Sequence, residues 1–317
     1  MSRMAGKPIS SLGERALVER LRRLHDPDGR SGIGDDCAVL SLGAKTLVAT
    51  TDITFDGVHY PLDAPPHLKG WYAAAVNLSD IAAMGARPLG LLVAYGFPKA
   101  TPIDVFNGIS GGVQRCVEHY GTKVLGGDTK GSSALTICVT ALGEAPASGA
   151  LMRPGAKRGD VLVMTGKVGR AHEWMLRGGS NGLGRMLRVE PRLAEGAALA
   201  AVGATSCVDL SDGLAISVHM LAEASAAGME LRLDDVPFYS GIKEGERLAA
   251  ASYGGDFELL ATVPKAKLGA AKAAVGKAGG ILSEIGQVGG KGVRYVADGK
   301  ARSLPKSGFE HLQGDAK

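Results

Sequence analysis

Aspartate recurs along this chain wherever an apolar run ends or a glycine loop opens. Asp35 and Asp36 follow Gly34, Asp52 closes the run Thr46–Thr51, and Asp128 follows Gly126-Gly127. Asp209 and Asp212 bracket a strand-to-helix turn, and Asp256 follows Gly254-Gly255. Asp80 lies in an alanine-rich helical stretch three residues after Asn77, so both leave one helical face. Taken singly, each is an ordinary turn former or helix cap, and Asp212 reads equally well as an N-cap. Taken together they constrain the fold, because carboxylates converging from several loops repel one another unless a cation sits among them. An oxygen-only set suits a hard cation such as magnesium, which keeps waters and binds substrate phosphates as well. Glycine, at 47 of 317 residues, is about twice its usual share, and its bare N–H groups approach phosphate oxygens closely.

Other classes are disfavoured. Lysines and arginines number 36 against 32 acids, neither sign forms a long block, and only 5% of residues are aromatic. That is poor material for nucleic-acid binding, and the lysines from Lys265 to Lys277 alternate with alanines as on a solvated helix face. No run of about 18 apolar residues suggests a membrane span, and Met1 to Ser10 lacks the apolar core of a signal peptide. Cys37, Cys116, Cys138 and Cys207 are isolated, as expected of small buried residues in a reducing, cytoplasmic compartment. There is no Walker A loop and no G-x-G-x-x-G, so a nucleotide must be held by metal bridges and scattered glycines.

Periodicity predicts a helix after Ser10-Ser11, strands at Ala38–Leu40 and Thr46–Thr51, and a helix over Leu68–Met84. A strand at Leu89–Tyr95 and a helix from Pro102 to His119 follow. Strands at Lys123–Leu125 and Ala134–Leu142 then flank a loop, Gly126-Gly127-Asp128-Thr129. The run Ala145-Pro146-Ala147-Ser148-Gly149 breaks the pattern, dividing the chain into residues 1–147 and 148–317. Beyond it come strands at Asp160–Met164, Ser206–Leu210, Met229–Leu233, Phe257–Val263, Ile281–Val288 and Gly292–Val296. Helices are expected after Gly169, from Gly213 to Ala227, and over Lys267–Lys277. Mixed strands and helices in both halves give an α/β or α+β class.

Several blocks resemble the thiamine-monophosphate kinase family, within the wider aminoimidazole ribonucleotide synthetase-like superfamily. They are Gly32-Ile-Gly-Asp-Asp-Cys-Ala-Val39, Thr50-Thr-Asp52 with His59 seven residues on, and Asn77-Leu-Ser-Asp-Ile-Ala-Ala-Met-Gly-Ala86. Gly126-Gly-Asp-Thr129, Asp209-Leu-Ser-Asp-Gly213 and Gly254-Gly-Asp-Phe-Glu-Leu259 continue the family's order. The resemblance implies a two-domain fold: an N-terminal α+β domain that binds ATP and metal and pairs as a homodimer, then an α/β domain. It implies phosphoryl transfer from ATP to thiamine monophosphate. Asp36, Thr50, Thr51, Asp52, Asp80, Asp128, Asp209 and Asp212 would serve several magnesium ions. Gly127, Arg153 and Ser211 would contact ATP, with Tyr120 near the adenine. His59, Asp256 and Phe309 would face the thiamine substrate. Catalysis would rest on Asp52, Asp80, Asp128 and Arg153. The family usually carries two acids before the aromatic of the 254–259 segment, and here the first is Gly255. Two alternatives remain from sequence: another ATP-dependent enzyme of the superfamily, of the selenophosphate synthetase or hydrogenase-maturation type, and a nucleotide-binding protein without turnover.

Overall fold

The computed structural model describes residues 9–26, 33–178 and 180–312, so Met1 to Pro8 and Gly32 lie outside the described residues. After α1 (Glu14–His25) come β1 (Ala38–Leu42), β2 (Lys45–Phe55), α2 (Pro66–Ala83), β3 (Arg87–Phe97), α3 (Ile103–His119), β4 (Val124–Gly131) and β5 (Thr136–Glu144). The five strands form one sheet in the order β1-β2-β5-β3-β4. Only the β3–β4 pairing is parallel. Burial alternates strictly along β5, so Ile137, Val139 and Ala141 face the helices while Cys138 and Thr140 face the other way. On that second face Ile53 and Leu92 stay exposed.

The remaining elements are β6 (Asp160–Thr165), α4 (Arg170–Arg177), α5 (Ser180–Leu187), α6 (Leu193–Val202), β7 (Ser206–Asp209), α7 (Leu214–Ala224) and β8 (Met229–Arg232). They continue with α8 (Arg247–Ala251), β9 (Leu259–Pro264), α9 (Leu268–Lys277), β10 (Leu282–Val288), β11 (Val293–Ala297) and β12 (Lys300–Ser303). Their sheet runs β12-β11-β8-β10-β6-β9-β7, parallel only between β8 and β11. Central strand β6 is buried at every position, which accounts for its unbroken apolar run Val161–Met164.

Helix α2 joins the two halves. Its alanines and its one glycine, Gly70, admit backbone on more than one side. A Cβ on Gly70 would lie 1.9 Å from the carbonyl oxygen of Ile109, and one on Gly112 2.1 Å from that of His67, so α2 and α3 touch backbone to backbone. On the other flank a Cβ on Gly196 of α6 would lie 2.0 Å from the carbonyl oxygen of Ala82. Ala82, Ala83, Leu151 and Leu199 then share one core with the second sheet. Asn77, Ser79 and Asp80 of α2 are therefore held where the two sheets meet.

Two sequence expectations change here. The segment Gly126–Thr129 is not a loop but the middle of β4, supplied with partners by parallel pairing to β3. Strand β2 runs on to Phe55 rather than ending at Asp52.

Candidate active site

Thr50, Asp52 and Thr54 alternate onto the α2 side of β2. Thr50 Oγ1 donates to Asp80 Oδ2 at 2.6 Å, and the Asp52 amide donates to Asn77 Oδ1 at 3.1 Å. Asn77 and Asp80, one turn apart on α2, thus both engage β2. Asp209, at the end of β7, accepts from Ser79 Oγ at 2.7 Å and from Ser211 Oγ at 2.8 Å. Asp36 comes from the loop before β1 and accepts from Arg153 Nη2 at 2.6 Å. Arg153 also donates through Nη1 to the Gly34 carbonyl and through its amide to Asp35 Oδ2, both at 3.0 Å. Carboxylate oxygens of Asp36, Asp80 and Asp209 all lie within 4.8 Å of one another.

Such proximity is costly without a counter-charge. Burial first, then Asp52, Asp209 and Asp36, hold the Asp80 carboxyl well above the ordinary range. Burial and Asp36 push Asp209 up in the same way, and burial followed by Asp212 raises Asp52. Asp35 is pushed up to about 6, chiefly by burial and next by Asp36. Asp36 Oδ2 is buried with no hydrogen-bond partner among the described residues. An orphaned carboxylate oxygen beside two further buried carboxylates fits a hard divalent cation.

The cluster opens into a cleft of about 860 Å³, lined by Asp52, His59, Asp80, Asp209, Ser211, Asp212 and Phe309. Tyr72, Trp174, Tyr253 and Phe257 give it an aromatic wall. His59 accepts the Phe55 amide at Nδ1 (3.1 Å), and its ring lies 4.7 Å from that of His311. Burial, with His311 second, lowers its pKa to about 4, so the ring is neutral near pH 7. Phe309 packs edge-on against His311 at 4.6 Å, and its amide donates to the Asp212 carbonyl at 2.9 Å. Helix α1, which motif reading left without a role, holds this tail. Arg15 Nη2 donates to the Phe309 carbonyl at 3.0 Å and sits 3.8 Å from Asp212, while the His311 amide donates to Glu14 at 3.0 Å.

Other predicted site residues are not brought to the cluster. Thr51 alternates to the opposite face of β2, where its hydroxyl donates to the Val139 carbonyl at 3.1 Å and pairs with Thr140 at 3.0 Å. Gly127 aligns with Asp52 through Val93 and Val139, three strands and about 14 Å away. Asp128, one residue on, is exposed on edge strand β4 with Lys130 at 3.1 Å. Tyr120 caps α3 and packs against Trp71 at 6.1 Å between ring centres. Trp71 is nine residues, about 13 Å, along α2 from Asp80. Asp256, expected to face the substrate, spends its carboxylate on backbone amides. Both its oxygens accept the Gly169 amide (3.0 and 2.9 Å), one also accepts the Arg170 amide at 2.8 Å, and it is 5% exposed, so it caps α4. Gly255 has φ +93°, a conformation that an acidic residue would adopt only with strain.

The family model for the AIR synthase related protein, N-terminal domain, matches residues 34–145, and that for the C-terminal domain matches residues 157–298. The fold is that of an AIR synthase-related protein. Thiamine-monophosphate kinase from Methanospirillum hungatei is 35% identical over 301 residues, covering 95% of this chain and 99% of its own length. The solved structure of AaThiL complexed with AMPPCP and TMP superposes with a TM-score of 0.85 at 27% identity, covering 97% of this chain and 99% of that one. Thiamine-monophosphate kinase from Stenotrophomonas maltophilia gives 0.75 at 31% identity, covering 89% and 95%. The chain belongs to the thiamine-monophosphate kinase family. The hydrogenase maturation protein HypE in complex with ATP shares the fold, with a TM-score of 0.71, at only 21% identity.

Proposed function

We propose that this protein transfers the γ-phosphoryl group of ATP directly to the phosphate of thiamine monophosphate, releasing ADP and thiamine diphosphate. The observation that carries the reading is the meeting of Asp36, Asp80 and Asp209 within 4.8 Å, opening into a cleft walled by aromatic residues. Asp36, Asp80 and Asp209, with Asp52 and Thr50 beside them and Asp212 nearer the tail, would hold magnesium. Bound there, magnesium supplies the positive charge that shields donor and acceptor phosphates from each other. Arg153 is always charged, and its buried Nε has no partner among the described residues. It fixes the Asp36 loop and adds positive potential where the moving phosphoryl group gathers negative charge. Ser211 orients Asp209, while His59 and Phe309 line the acceptor side. An acceptor phosphate is already ionised near neutral pH, so positioning and electrostatics suffice and no general base is needed.

Gly127 and Asp128 on β4, and Tyr120 on α3, would serve the nucleotide away from the buried cluster. The open face of the first sheet, with Ile53 and Leu92 exposed, would be covered by a second copy in a cytoplasmic homodimer. Residues 1–147 would then form the ATP, metal and dimerisation domain, and residues 148–317 the other. No helix among the described residues is long and apolar enough to cross a membrane.

The test is incubation with magnesium, ATP and thiamine monophosphate, followed by chromatographic separation of the thiamine species. Thiamine diphosphate should form, and D52N and D80N should each abolish it. ATP consumption without that product would overturn the acceptor assignment.

A further inference from the structure

One buried ammonium lies outside the phosphate chemistry. Lys69, on α2, has a side chain only 5% exposed. Its Nζ donates to Asp56 Oδ1 at 2.6 Å and to the Leu62 carbonyl at 2.8 Å, and lies 5.4 Å from the centre of the Tyr60 ring. One cation therefore fastens both ends of the segment 56–62, with His59 at its middle. The segment is tight in itself: the Gly57 amide donates to the Tyr60 carbonyl at 2.9 Å, and Tyr60 is itself buried, its hydroxyl 3.2 Å from Thr54 Oγ1. Because His59 accepts the Phe55 amide at Nδ1, its proton sits on Nε2. The loop thus offers one ring, in one tautomer, at one place on the cleft wall.

A buried ion pair is a poor way to stabilise a helix, since its desolvation offsets most of the attraction and an apolar side chain would pack as well. What the ammonium adds is definition of the loop. We infer that Lys69 is a positioning residue for the acceptor substrate, holding segment 56–62 so that His59 meets it in a fixed pose and tautomer. The inference rests on the reading of His59 as an acceptor-side contact.

The experiment compares wild type, K69M and K69M/D56N by steady-state kinetics, thermal unfolding and nitrogen-15 spectra of the His59 ring. In K69M the KM for thiamine monophosphate should rise about tenfold, with kcat and the KM for ATP within about twofold. The His59 spectrum should change from a single Nε2-protonated tautomer to a mixture. Removing the unpaired acid as well, in K69M/D56N, should restore part of the lost Tm but not the KM. A KM unchanged in both variants, or one that recovers together with Tm, would overturn the inference. Failure of the kinase reading shows separately, as wild-type protein that forms no thiamine diphosphate, and the His59 spectrum alone then decides the positioning role.

Discussion

The hydroxyl of Ser79 donates to Asp209 Oδ2 across 2.7 Å, and both side chains are almost fully buried. Ser79 belongs to the helix that packs on the first sheet and Asp209 to β7, the edge strand of the second, so the bond closes the site where the two meet. Ser79→Ala should leave Asp209 with a buried, unmatched acceptor. The expected loss is about 1–3 kcal/mol, read from the urea midpoint at constant m.

Neighbouring threonines on β2 should behave differently. Thr50 bonds Asp80 inside the cluster, whereas Thr51 bonds Val139 and Thr140 on the far face. Thr50→Val should cut turnover about tenfold at limiting magnesium, and Thr51→Val should stay within about twofold of wild type. A magnesium titration of the two variants under identical conditions checks the contrast.

The strand-end aspartates and the Asn77–Asp80 pairing are legible because each is a local pattern with a chemical reason. Thr51 was not separable from Thr50, since which face a side chain takes depends on where the strand lies in its sheet. Segment Gly126–Thr129 reads as a turn by composition, and only its partner β3 makes it a strand. Glu14 marks a helix start in the sequence, but neither it nor Arg15 carries a local sign of a place at the site. Their role exists only because the C-terminal tail returns to α1, nearly 300 residues away in sequence.

Asp256 should act as a helix cap. Asp256→Ala would strand the Gly169 and Arg170 amides and cost about 1–3 kcal/mol of stability. Asp256→Asn keeps an acceptor oxygen and should leave the KM for thiamine monophosphate within about threefold of wild type. Calorimetry alongside kinetics on the two variants distinguishes a cap from a substrate contact.

Burial lowers the His59 pKa from 6.5 to about 4. The folded state therefore resists a proton that the unfolded state accepts, and the stability due to neutral His59 is lost as pH falls from about 6.5 towards 4. Above pH 6.5 that contribution is fully present. The stability of wild type relative to His59→Asn should thus shrink on acidification through this window and stay constant from pH 7 to 8. Denaturant midpoints of the pair, measured at half-unit pH steps, give the difference directly.

The contact between α2 and α3 has a consequence for how mutational data on this protein would read. At Gly70 and Gly112 a single added methyl group meets backbone, which cannot rotate out of the way. A deep scan should find these two positions as intolerant as Asp80, although neither offers a polar side chain to any ligand. Alanine, the mildest replacement elsewhere, would be among the harmful ones here. Intolerance would then trace the path along which α2 is wedged between its neighbours, and only part of that path bears chemistry.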